Sequence, residues 1–136
     1  MTDEELVQAA LEAQGRAYAP YSRFNVGAAV LADGQLVAGA NVENASYGLA
    51  ICAERNAVAR AVFQGARAIN AVAVATDVSP PAPPCGMCLQ TIAEFADDLA
   101  AQRVILVNPA GERRVYTMAE LLPYGFRPSD LAREEG

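Results

Sequence analysis

The sequence predicts an α/β fold, a sheet with helices packed against its faces. Three observations carry that reading: apolar residues recur at helical spacing near the start of the chain, a hairpin signature follows, and a nearly all-apolar stretch at 68–76 lies between two further helical segments. At 136 residues, 53% of them hydrophobic, the chain is long enough for one well-buried core and too short to divide comfortably, so residues 1–136 are read as a single domain.

The elements follow in order. Leu6, Val7, Ala10, Leu11 and Ala17 keep helical spacing from Asp3 onward, until Ala19-Pro20-Tyr21-Ser22 breaks the pattern. Residues 25–31 and 36–42 are small, apolar and partly β-branched, and the Asp33-Gly34 pair between them is a strong hairpin signal, so two antiparallel strands are expected. A second helix is expected over 52–63, ended by Gly65, then a strand over 68–76 of the kind buried on both faces. The prolines of Ser79-Pro80-Pro81-Ala82-Pro83-Pro84 exclude both helix and central strand. This rigid loop delivers Cys85 to a third helix, expected from about Gly86 to Leu99. Residues 104–107 read as a fourth strand, Asn108-Pro109-Ala110-Gly111 as a turn and 114–116 as a short fifth strand. Thr117-Met118-Ala119-Glu120 has the spacing of a capping box that opens a short helix before Pro123. No internal repeat is present, and the tail from Ser129 to Gly136 is expected to be loosely held.

The chain contains three cysteines, no histidine, and basic residues that are all arginine. Without imidazole, a Ser-His-Asp triad, a Cys-His pair and a two-His carboxylate metal site are excluded. Without lysine, so are a Schiff base and a phosphate-loop lysine. Proton transfer at neutral pH is left mainly to carboxylates, with metal-activated water as the nucleophile. Cys85 and Cys88, three apart on the first turn of a helix, put both sulfurs within reach of one ion, and Cys52 begins a different helix. Two helix N-termini aimed at one point favour the thiolate form that binds metal. Structural zinc is nearly always closed by four Cys or His ligands, whereas catalytic zinc keeps three and leaves the fourth position to water. Three soft ligands with no fourth fit the second kind.

Two neighbours of Cys52 complete this reading. Glu54 places a carboxylate where it can take a proton from metal-activated water and return it to the substrate and leaving group. Three thiolates on a divalent zinc leave a net charge of about −1, which makes bound water less acidic. Arg55, one helical turn after Cys52, is placed to offset this by hydrogen bonding to ligand sulfurs.

The net charge of −6 and scattered arginines exclude a protein that grips a phosphate backbone through clustered cations. A small, neutral or weakly polar substrate fits better than a nucleic-acid strand. No apolar run approaches the ~18 residues of a membrane span, and the odd number of cysteines suits a reducing compartment, so a soluble, cytoplasmic protein is expected.

The joint pattern of Cys52-Ala53-Glu54 with Pro84-Cys85-Gly86-Met87-Cys88 is the zinc deaminase signature with Cys in place of His as first ligand. Nearly the whole chain resembles the small homotetrameric cytidine deaminases. The resemblance runs through residues 19–29, the Asn41-Val42-Glu43-Asn44-Ala45-Ser46-Tyr47 segment, Cys52-Ala53-Glu54-Arg55, and Leu121-Leu122-Pro123 through Phe126. It implies a three-layer α/β/α sandwich around a five-stranded mixed sheet. It also implies one zinc per subunit and hydrolysis of cytidine and 2'-deoxycytidine to the uridines and ammonia, in pyrimidine salvage. Water would attack C4 of the base while Glu54 protonates N3 and later the departing amine. By the same resemblance Asn41 and Glu43 would hold the ribose 3'-hydroxyl, Phe24 would pack against the nucleoside, the backbone of Ala53 would meet the pyrimidine edge, and Phe126 would reach a neighbouring subunit's site. Tyr47, in the same loop as Asn41 and Glu43, is a further binding-site candidate.

Two positions depart from the family's usual pattern. Leu89 stands where many relatives carry arginine, which makes the thiolates more dependent on Arg55. Met87 replaces a smaller residue and also occurs in blasticidin-type deaminases, so a related aminopyrimidine nucleoside such as blasticidin S is the alternative substrate. An alternative of another class is a non-catalytic zinc module that staples two helices. Phe24 and Phe126 could serve instead as core or interface anchors.

Overall fold

The computed structural model describes residues 2–131. Its five strands form one sheet in the order β2-β1-β3-β4-β5, with β1 at Gly27–Ala32, β2 at Gln35–Ala40, β3 at Ile69–Ala75, β4 at Arg103–Val107 and β5 at Arg113–Thr117. The sheet is mixed: β3 and β4 are parallel and the other neighbours antiparallel. The three-layer expectation holds. Helix α1 (Asp3–Gln14) lies on one face, where Leu6, Val7 and Ala10 meet Ala29, Ala71, Ala73 and Ile105. Helices α2 (Ala53–Phe63) and α3 (Gly86–Ala93) cover the other face, over Ala28, Val30, Val72, Val74, Val104 and Leu106. Alternate residues of β1, β3 and β4 therefore feed two cores, which is why 68–76 reads as nearly all apolar.

Local chemistry sets the boundaries. Thr2 caps α1 by accepting from Glu5 N, and Asp3, Glu4 and Glu5 complement its N-terminal dipole. The helix ends at Gln14, short of the Ala17 expected from spacing, because Tyr18 is drawn into a bridge beside Val42 through bonds to Asn41 O and from Glu43 N. Asp33 and Gly34 both take positive φ, 48° and 80°, and join β1 to β2 by the tight turn their sequence announces. At the end of α2, Gly65 N bonds to Val62 O and Ala66 N to Ala61 O, a Schellman closure.

The third helix is shorter than the expected 86–99: it stops at Ala93. Asp97 and Asp98 would sit at the negative end of the helix dipole, and Asp98 instead turns the chain by accepting from Ala100 N. The turn that follows is held by distant partners: the Arg127 guanidinium donates to the carbonyls of Ala93, the last residue of α3, and of Ala96, and Ile69 N donates to Phe95 O. The capping box at Thr117 and Glu120 is present and opens α4 (Met118–Leu121). Pro128–Leu131 forms a helical turn, α5, at the start of the tail, and 132–136 lie outside the described residues. A 3-10 turn at Tyr47–Leu49 was not expected.

Two features of β2 matter below. Among the described residues its outer edge has no strand partner, and the carbonyls of Ala40 and Ala38 accept instead from the Asn56 and Arg60 side chains of α2. Helix α2 also lies very close to it at Gly39, where a Cβ would come within 2.6 Å of Ala57 N and 3.0 Å of Ala53 O. Gly39→Ala must therefore displace the backbone of the helix that begins at Cys52. We expect it to lower stability by about 1–3 kcal/mol in urea unfolding and to speed zinc loss to a chelator; wild-type values in both measurements would show that the helix yields freely.

Candidate metal centre and substrate cavity

One end of the sheet collects every loop that the sequence marked. Gly27 at the start of β1 pairs with Ala40 at the end of β2 and with Ala75 at the end of β3, so residues 21–26, 41–44 and 76–85 emerge together. This is the carboxyl end of parallel β3 and β4, the usual place for a ligand on such a sheet. The N-termini of α2 and α3 point at it.

Cys52 is the N-cap of α2 and Cys85 the N-cap of α3, and neither side chain is spent on capping its helix. Cys88 follows on the first turn of α3 and is fully buried. The three sulfurs lie within 4.8 Å of one another, and those of Cys85 and Cys88 are 3.6 Å apart. Tetrahedral zinc thiolates with Zn–S bonds of about 2.3 Å place sulfurs roughly 3.8 Å apart. The donor set therefore fits zinc in both chemistry and span, and no fourth ligand joins the group among the described residues. The Cys52 thiol is shifted down, chiefly by a hydrogen bond from Cys88 and, against burial, by Arg55; Cys88 is shifted up as the donor of that same bond.

Arg55 donates to Ala50 O at 3.2 Å and lies 4.0 Å from Cys52 Sγ, the placement its spacing predicts. Its Nε is buried with no protein partner among the described residues, so the cation faces the thiols with a donor to spare. Leu89, by contrast, packs into the core under α3, and Met87 is exposed on that helix.

Glu54 is 5% exposed and lines a cavity of about 240 Å³ together with Cys52, Cys85 and Ala53. Burial pushes its carboxyl above the ordinary range, and the Cys52 charge adds to that. Phe24, Asn41 and Glu43 line the same cavity. The Asn41 amide accepts from Val26 N at 2.9 Å and donates to Phe24 O at 2.8 Å, while Asn41 N bonds to Val26 O; β1 begins at Gly27, two residues after the expected Asn25. Glu43 accepts from the N–H groups of Tyr21 and Ser22 and pairs with the Ser22 hydroxyl, which holds its carboxyl below the usual range.

Tyr47 is placed differently. It lines an adjoining recess of about 330 Å³ that shares Ser22 and Glu43 with the metal cavity, and its ring meets Tyr21 edge-on at 6.3 Å. Phe126 lines neither space; Gln90 of α3 holds its backbone. The sequence reading missed Ser22 and Thr76. Thr76 Oγ1 accepts from Ala82 N and so fixes the proline loop before Cys85. A polar residue closing an otherwise apolar strand was the available signal.

Residues 1–106 match the family described as the cytidine and deoxycytidylate deaminase zinc-binding region. The chain is 46% identical over 132 residues to a protein of Halalkalibacterium halodurans named cytidine deaminase, covering 96% of this chain and 98% of that one. It is 44% identical over 133 residues to another so named from Sporosarcina psychrophila, covering 97% and 96%. Its fold superposes on the crystal structure of cytidine deaminase from Burkholderia pseudomallei with a TM-score of 0.86 at 44% identity, over 93% of this chain and all of that one.

Proposed function

The chain belongs to the cytidine and deoxycytidylate deaminase family, and from that premise we propose that residues 1–136 form one catalytic domain that hydrolyses cytidine and 2'-deoxycytidine to the uridines and ammonia. The observation that carries the proposal is the convergence of three thiols, open to one further ligand, on a cavity walled by a buried glutamate. A structural zinc module would call for a fourth protein ligand. Three free cysteines, with no disulfide among them, support a reducing, cytoplasmic setting and a place in pyrimidine salvage.

Cys52, Cys85 and Cys88 would hold one zinc per subunit, which when bound supplies a Lewis acid that makes water nucleophilic at neutral pH. Glu54 takes one proton from the attacking water and delivers it to N3 of the base; it then takes the remaining proton of the hydroxyl on C4 and delivers that to the amine, which leaves as ammonia while the C4 oxygen becomes the uridine carbonyl. The low exposure of Glu54 suits both duties, because burial raises the carboxyl above its ordinary range and so makes it a better proton acceptor than a solvated glutamate. Arg55 offsets the thiolate charge. The Ala53 backbone, fully buried on the cavity wall, meets the pyrimidine edge.

The sugar falls to Asn41 and Glu43. Each Asn41 amide atom uses one hydrogen-bonding site on the 24–26 segment and keeps one, an acceptor and a donor for a hydroxyl. Glu43 Oε2, paired only with Ser22, retains acceptor capacity. Phe24 packs against the nucleoside, and Tyr47 stands at the outer recess. Phe126 completes a neighbouring subunit's site in a homotetramer.

Zinc-loaded protein should lower the ultraviolet absorbance of cytidine and deoxycytidine and leave free cytosine unchanged; blasticidin S in the same panel tests the alternative substrate. No turnover of either cytidine would end the proposal. Light scattering should report an assembly, and an active monomer would remove the shared-site part alone.

A further inference from the structure

Gln90 is a residue whose two hydrogen bonds neither the fold nor the chemistry above requires. It follows Cys88 by two positions on α3, a rotation of about 200° around the helix axis, so it faces away from that thiol. Its side-chain amide donates to Phe126 O at 2.6 Å and accepts from Phe126 N at 3.2 Å. Both polar atoms of one backbone residue are thereby held by one side chain, as a strand partner would hold them. The next residue is fixed as well, since the Arg127 guanidinium donates to Ala96 O at 2.7 Å and to Ala93 O. Here the ties secure a residue whose ring stays 55% exposed. They do not serve to bury it.

We propose that Gln90 is a positioning residue that fixes the Phe126 ring on the face of α3 turned away from the thiols, where a second copy of the chain takes it against the nucleoside in its own cavity. This rests on the deaminase reading above. Because Gln90 acts only through Phe126, its loss weakens substrate binding and leaves the chemical step and the metal in place.

The test is a double-mutant cycle with cytidine. Gln90→Leu removes both bonds, and Gln90→Glu keeps the acceptor for Phe126 N while setting an oxygen against Phe126 O. Gln90→Leu should raise KM about tenfold, the scale of losing one aromatic stack on a base, with kcat within about twofold and zinc content unchanged. Gln90→Glu should fall between it and wild type. In a Phe126→Ala background, Gln90→Leu should have no further effect on KM. A wild-type KM for Gln90→Leu, an effect that persists without the Phe126 ring, or a joint fall of kcat and zinc content would each overturn the inference while leaving the deaminase reading standing. If wild-type protein fails to turn over cytidine, that reading fails first and this one with it.

Discussion

Glu54→Gln should lower kcat for cytidine roughly a hundredfold to ten-thousandfold, the range over which a positioned acid–base group contributes, while zinc content and fold persist. The argument is geometric. Glu54 is on the first turn of α2, 5% exposed, on the wall of the cavity into which the thiols open. Glutamine has nearly the same shape and fits without repacking, yet it cannot accept a proton from water or carry one to N3. Burying a neutral amide also costs less than burying a carboxylate, so the thermal midpoint should equal or exceed that of wild type. Steady-state kinetics, metal analysis and a thermal scan on one preparation decide the matter. Activity within tenfold of wild type would mean that another group moves the proton. Lost zinc would instead make Glu54 a support of the metal centre.

Removal of one thiolate should be equally severe by another route. Cys88→Ala leaves Cys52 and Cys85, too few to retain the ion, and purified protein should carry less than about a tenth of an equivalent of zinc with no measurable turnover. Cys88 is fully buried, so a small packing loss accompanies the metal loss, on the order of 1 kcal/mol. Cys85→Ala separates the two effects, because Cys85 is exposed and its removal leaves no core cavity. Both variants should lose zinc to the same degree, and both should melt earlier than the zinc-loaded chain, since the ion joins α2 to α3. A Cys88→Ala protein that holds a full equivalent would refute the ligand set.

Much of this was readable from residues alone, for identifiable reasons. The thiol cluster could be read because helix N-termini and the Cys85/Cys88 spacing fix where sulfurs point; Arg55 could be read because one helical turn separates it from Cys52. The capping box at Thr117 and the Asp33-Gly34 turn are local chemistry, and both formed as written. The end of α3 was misjudged because the turn after Ala93 is held from far along the chain, by Arg127 at Ala93 O and Ala96 O and by Ile69 at Phe95 O, and periodicity carries no trace of such partners. Asn41 was expected to contact ribose, but how its side chain is held was not legible. Its internal bonds to Phe24 and Val26 depend on β1 and β2 already being paired. The grip of Gln90 on Phe126 crosses 36 positions, and only the folded chain brings the two together.

The hydrogen bonds from Asn56 and Arg60 to the outward carbonyls of β2 give α2 a second duty. The helix that begins at Cys52 also shields a flat strand from lateral recruitment by other molecules. Metal loss and self-association thus share one hinge. Loosening of α2 would free those carbonyls as a template for strand addition, so the chelated protein is expected to aggregate sooner than the zinc-loaded one, which light scattering would report.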